Sequence, residues 1–149
     1  MKVIGFRARP TEIRYAILGY NGTDIVFLNN GENKLKYPVD ATNPEIKIFW
    51  VYRELERIFE ENCIDRIAIK INEYGMENAG KRETTYVDAT IMLIAARRNL
   101  PVTRLLYSNL RLNSSTVKDA AAALVGKTEK YWDSAIADAI MAGNKVARG

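Results

Sequence analysis

The sequence predicts an α/β fold, a mixed sheet of five strands with helices on both faces. Three observations predict it. The first thirty residues carry three apolar segments separated by tight-turn signals. From residue 43 onward, helical periodicity alternates with short apolar, β-branched segments. The resulting order is β-β-β-α-β-α-β-α. It joins an antiparallel meander to two strands reached by helical crossovers, which lays helices over the sheet.

Each element has its own signal. Residues 2–8 and 11–19 alternate or run apolar, with Pro10-Thr11 as the turn between them. Asn21-Gly22 marks a two-residue hairpin, because both central positions of such a turn favour positive φ. Residues 24–29, DIVFLN, form the third strand, and 30–43 are polar and read as a loop. Asn43-Pro44-Glu45 starts a helix: a capping residue, a proline in the first turn, and an acid at the positive end of the dipole. Ile46, Phe49, Trp50, Leu55, Ile58 and Phe59 then keep helical spacing to about Glu61. RIAIKI (66–71) is a strand, and 74–83 reads as a mobile polar loop. Residues 84–98 are a helix with Val87, Ile91 and Ile94 on one stripe. PVTRLLY (101–107) is a strand with proline at its first position. Residues 109–127 hold turns and a short Ala-rich helix, and a last helix runs from about Thr128 to Lys145. With no repeat, low-complexity tract or linker, residues 1–149 read as a single domain.

Composition narrows the chemistry. Apolar residues are 48% and charged residues 27% of the 149, which suits a soluble chain with a core. There is no histidine, so no His base, His-activated nucleophile or His metal ligand exists. The single Cys63 forms neither an internal disulfide nor a zinc cluster, and reads as a small buried residue in a reducing compartment. Strand-like sequence begins at Lys2, and no apolar run approaches a membrane span. The expected location is therefore the cytoplasm, with no membrane partner. A net charge of +4 permits nucleic-acid binding without requiring it.

RIAIKI, a glycine-containing loop, VDATIMLIAARRNLPVTRLLYSNLR and ADAIMAG follow one another in a way that resembles the RuvC-type Holliday junction resolvases of the ribonuclease-H-like superfamily. The resemblance runs from Val3 to Gly143 and is most specific in the second half. It implies two-metal phosphodiester hydrolysis by three or four carboxylates, since paired divalent cations need several anionic oxygens to sit together. Carried over by position, the first-strand acid falls on Arg7 and the glutamate of the fourth strand on Lys70. In the last helix one acid falls on Ala135, and the final one matches Asp138. Two cations at such a site oppose a metal by about 4 kcal/mol at 4 Å. An ion-pair cluster of Arg7, Lys70, Asp138 and Glu73 is the expected replacement, with Asp138 facing inward and paired to Lys70.

Other acids could substitute. Glu73 lies three residues past Lys70, on the same side only if the strand ends between them. Asp133 lies about 140° around the helix from Asp138, so the two cannot chelate one ion directly. Glu12 is a remote third choice. If the chain is active, Asp138, Glu73 and Asp133 are the catalytic candidates, with Asp138 and Glu73 holding Mg²⁺ or Mn²⁺; otherwise no cofactor is expected. Between Arg97 and Lys127 the only acid is Asp119. Arg104, Arg111 and Lys118 there, with Arg7, Arg9 and Lys70, are the candidates for phosphate contact. The leading expectation is a catalytically degenerate RuvC-like domain that associates with DNA, RNA or a nucleic-acid-processing partner. The alternatives are an active metal-dependent nuclease with a rearranged site, and a protein-interaction or homodimerisation domain using the 44–60 helix or the last helix.

Overall fold

A computed structural model describes residues 1–29, 31–38 and 43–149. The strands are β1 (Lys2–Ala8), β2 (Glu12–Tyr20), β3 (Ile25–Phe27), β4 (Lys34–Lys36), β5 (Arg66–Lys70) and β6 (Val102–Leu105). The helices are α1 (Pro44–Glu61), α2 (Ala79–Arg97), α3 (Tyr107–Leu110), α4 (Val117–Val125) and α5 (Ser134–Arg148). The sheet order is β3-β2-β1-β5-β6, with β4 also on β2. β1 pairs antiparallel with β2 and parallel with β5, and β5 pairs parallel with β6. The predicted mixed α/β architecture is therefore present, with one strand more than expected.

That sixth strand lies inside the expected loop 30–43, part of which (residues 30 and 39–42) falls outside the described residues. β2 is nine residues long and its outer edge is used twice. β3 pairs with Leu18–Tyr20, and β4 pairs with Glu12–Arg14. Three residues, Lys34-Leu35-Lys36, are too few to announce a strand by alternation; only their neighbour gives them one. Two helix starts also move. α2 starts at Ala79 rather than 84, because the Asn78 side chain accepts from the Lys81 amide and caps it. α5 starts at Ser134 rather than 128, because Tyr131 adopts φ 58° and Asp133 caps the helix through Ala135 and Ile136. Cys63 is exposed rather than buried; in the short connection from α1 to β5 it is Ile64 that turns inward.

Strand alternation sends side chains to two cores. Ile4, Phe6, Ile13, Tyr15, Ile67 and Ile69 pack under α1 and α2. Val3, Ala16, Leu18 and Ala68 pack under α5 with help from α4. α5 lies directly on the strands. A Cβ on Gly5 would stand 1.9 Å from the Ala139 carbonyl oxygen, so only glycine permits this approach. Arg7 follows Gly5 on the same face of β1, Lys70 follows Ala68 on β5, and Arg14 lies opposite Arg7 on β2. The fold therefore aims three cations at α5.

Candidate functional site

The cations meet two acids of α5 and its cap. Arg7 Nε lies 3.3 Å from Asp138 Oδ2. The same guanidinium donates to Asn72 Oδ1 at 3.0 Å and to the Lys70 carbonyl at 3.4 Å. Asp138 is 3% exposed, and its Oδ1 accepts from the Tyr107 hydroxyl at 2.7 Å. Lys70 is completely buried. Its Nζ donates to the Ile71 carbonyl at 2.6 Å and to Glu73 Oε2 at 3.2 Å, and sits 4.0 Å from the centre of the Tyr107 ring. Glu73 also accepts from the Tyr107 amide.

The structure thus brings Arg7, Lys70, Glu73 and Asp138 together, but not in the expected pairing. The ion-pair partner of Lys70 is Glu73, and that of Asp138 is Arg7. β5 ends at Lys70, which frees the chain to fold back and return Glu73 to the ammonium. Burial pushes the Asp138 carboxyl up, against the opposing pull of Tyr107, Arg7 and Lys70. Burial also pushes Lys70 down, and the Arg7 charge adds to that; Asp138 and Glu73 act the other way. Burial and the Asp138 carboxylate together raise Tyr107, so its hydroxyl stays a donor.

Asp133 belongs to a second cluster. It caps α5 with Oδ1 and offers Oδ2 to Arg14 at 2.5 Å and to Arg9 at 3.6 Å. Arg14 is 3% exposed and also takes Glu12 at 3.1 Å and the Tyr131 carbonyl at 2.7 Å. These contacts clamp the start of α5 to β2. Asp133 and Asp138 do not converge, and Glu12 faces Arg14 and Lys34.

A divalent metal does not fit the four acid positions that the resemblance implies. Three are Arg7, Lys70 and Ala135, and the carboxylate of the fourth, Asp138, is taken by a guanidinium and a hydroxyl. No group of three or more Asp, Glu or Cys able to hold a metal occurs among the described residues.

Of the basic candidates, Arg104, Arg111 and Lys118 are exposed and join no ion pair among the described residues, Arg111 in a left-handed conformation at the end of α3. Arg9 is partly engaged by Glu12 and Asp133. Lys70 presents nothing to a phosphate because its ammonium is sealed, and Arg7 is mostly committed to its neighbours. Of the two faces considered for a protein partner, α5 is used inside the chain, buried from Ala135 to Ile140. α1 leaves Ile46 and Phe49 exposed. Among the described residues, no helix is long and apolar enough to cross a membrane.

Sequence reasoning missed Asp88 on α2. It is 5% exposed, and its Oδ1 is sealed with no hydrogen-bond partner among the described residues. Burial raises its pKa to about 7, although Arg7 and Lys70 pull it down. One signal was available: Asp88 stands between Thr84 and Ile91 at spacings of four and three, on the buried stripe of the helix.

No protein-family model matches the sequence, and no curated protein does. Solved structures do. The chain superposes on Thermus thermophilus RuvC in complex with Holliday junction substrate with a TM-score of 0.81 at 13% identity, over 99% of this chain and 94% of that one. The yeast mitochondrial Holliday junction resolvase Ydc2 matches at 0.67 and 11% identity, over 98% of this chain and 78% of that one. The fowlpox virus resolvase, in a complex with Holliday junction DNA, matches at 0.59 and 15% identity, over 97% of both chains.

Proposed function

We propose that this chain, whose fold is the RuvC type of the ribonuclease-H-like superfamily, is a nucleic-acid-binding domain that holds its substrate without cutting it. The observation that carries the proposal is the Arg7–Asp138 pair with Lys70 and Glu73 beside it. Cations stand where the fold's hydrolytic chemistry requires acids, and the remaining acid is consumed by them. The cluster does a structural task instead: it ties the ends of β1 and β5 to α5. Binding falls to surface groups. Arg104, Arg111 and Lys118 are exposed cations that track phosphates. Tyr74 and Met76, in the connection after β5, are 83% and 89% exposed, and an aromatic side chain so presented is a stacking platform for bases. That two of the similar structures are complexes with Holliday junction DNA favours a branched DNA partner.

The test is fluorescence anisotropy with a four-way DNA junction, a duplex and a single strand across 50–300 mM salt. Log affinity is expected to fall linearly with log salt. Binding that is absent, or indifferent to salt, refutes the reading. A parallel incubation of each DNA with millimolar Mg²⁺ or Mn²⁺ is expected to leave it intact. Strand cleavage would establish the active nuclease in its place, with Asp138, Glu73 and Asp133 as the residues to substitute.

A further inference from the structure

β6 closes one end of the sheet, with β5 on one side and, among the described residues, no strand on the other. We infer that this open edge takes an extended acidic segment of a partner protein, which adds as a further strand and sets alternate side chains into grooves on the two faces of β6. The inference goes beyond the nucleic-acid reading above and does not rest on it.

The backbone supplies the ladder. Ile67 and Ile71 donate to the Pro101 and Leu105 carbonyls across the β5–β6 pair. Backbone groups alternate along a strand, so Val102 and Arg104 turn their N–H and C=O outward. The ladder stops beyond them, because the Leu106 amide is taken by Asn109 Oδ1 at 2.8 Å. Side chains alternate in step. Leu105, with Thr103, lies on the α5 face; Val102, with Arg104, lies on the α2 face. Each face has a groove beside the edge. On the α5 side a space of about 430 Å³ opens among Pro101, Leu105, Val146, Arg66 and Lys145. On the α2 side a space of about 350 Å³ opens beside Arg104, with Ile71 and Met92 in its wall. Strand addition uses these two features together: main-chain bonds give affinity, and pockets for alternate side chains give specificity.

Charge chooses the occupant. The α5-side groove is lined by two cations and no acidic side chain. Arg66, Arg104 and Lys145 are exposed and join no ion pair among the described residues. A glutamate in that groove rests its stem on Leu105 and Val146 and brings its carboxylate to Arg66 and Lys145. The α2-side groove already carries Glu73 and Glu77, so the alternate side chain that suits it is apolar, against Ile71 and Met92. A second copy of this chain is opposed, because edge-to-edge pairing sets the same cations against one another. DNA meets the cations but has no row of N–H and C=O groups at strand spacing to complete the ladder.

The probe is a labelled, terminally blocked hexapeptide of alternating valine and glutamate, titrated with the full chain by fluorescence anisotropy. It is expected to bind, and the same peptide with lysine for glutamate to bind at least about ten-fold more weakly. Two further peptides carry N-methyl groups, one on every valine and the other on every glutamate. They have equal charge and differ in which backbone edge keeps its N–H groups, so one should bind like the parent and the other at least about ten-fold more weakly. Arg66→Glu combined with Lys145→Glu is expected to reverse the preference between the glutamate and lysine peptides. A Kd weaker than about 1 mM for the parent peptide overturns the inference; sedimentation of the chain as a dimer would then give the edge to a second copy. Equal effects of the two methylated peptides overturn it as well, because a ladder uses one edge of the peptide. A charge preference that the double variant leaves unchanged overturns the assignment to Arg66 and Lys145. If that variant loses as much affinity for duplex DNA as for the peptide, the edge serves nucleic acid and the inference falls. The peptide comparisons use the unaltered chain, so they decide even where the variant does not fold.

Discussion

Replacing Asp88 by asparagine is expected to stabilise the protein at alkaline pH and to do little at acid pH. Asp88 is enclosed on α2, with its pKa raised from 3.8 to about 7. A carboxyl whose folded pKa lies above its unfolded value is protonated preferentially in the native state. Its stability is fully present below pH 3.8, falls as pH rises through that window, and is lost above about 7. At about 1.36 kcal/mol per pH unit for one proton, wild type loses about 2–3 kcal/mol from this group between pH 5 and 8.5. Asparagine has the same shape and no proton to lose, so its contribution is flat. The stability difference between variant and wild type should therefore grow by about 2–3 kcal/mol over that range. With urea slopes of about 1–3 kcal/mol/M, the two midpoints separate by about 0.7–3 M. Urea unfolding at pH 5, 6, 7 and 8.5 measures it. Midpoints that shift in parallel across the series would refute the argument, because they would mean that Asp88 is ionised, and solvated or paired, in the folded state.

The opposite sign is expected one helix away. Asp138→Asn keeps an acceptor for Tyr107 but strands Arg7, and should cost about 3–5 kcal/mol in the same urea assay. Adding Arg7→Met should recover at least half of it, as expected when a buried pair is removed together. Gly5→Ala drives a methyl into the Ala139 carbonyl, a backbone atom that cannot swing aside. A cost of about 3 kcal/mol or more, read as a fall of roughly 10 °C in melting temperature, is the expected result. Arg104→Ala, Arg111→Ala and Lys118→Ala should each reduce the salt slope of duplex binding by about 0.9, and an unchanged slope removes that residue from the interface.

Much of the fold was legible because its signals are local. The Asn43-Pro44-Glu45 start, the β-branched runs and the Val87, Ile91, Ile94 stripe each report on their own neighbourhood; Asn21-Gly22 marks the turn from β2 to β3, but that turn has four residues rather than two, with positive φ at Gly22 and not at Asn21. β4 was not legible, because three residues carry no periodicity and its strand geometry comes from the free half of the β2 edge. The start of α5 was misplaced for a similar reason: Asp133 caps the helix while Arg14, 119 residues away in sequence, holds it from β2. The site divides in the same way. That Arg7, Lys70 and Asp138 share one site is what the resemblance to the RuvC-type resolvases implies, but their pairing depended on where β5 ends and how Glu73 returns.

The sequence by itself determined the charge inventory and the order of elements: no histidine, cations at Arg7 and Lys70, and an acid at Asp138, which the resemblance to the RuvC-type resolvases implies stand at one site. Only the tertiary structure decided which cation meets which acid, that Lys70 is sealed while Arg104 stays exposed, and that Asp88 is buried with an oxygen unpartnered. The physical reason is that residue type and spacing fix the face of an element on which a side chain lies. Burial and hydrogen-bond partners depend on what the rest of the chain lays over that face, and for a charge those two quantities set the energy.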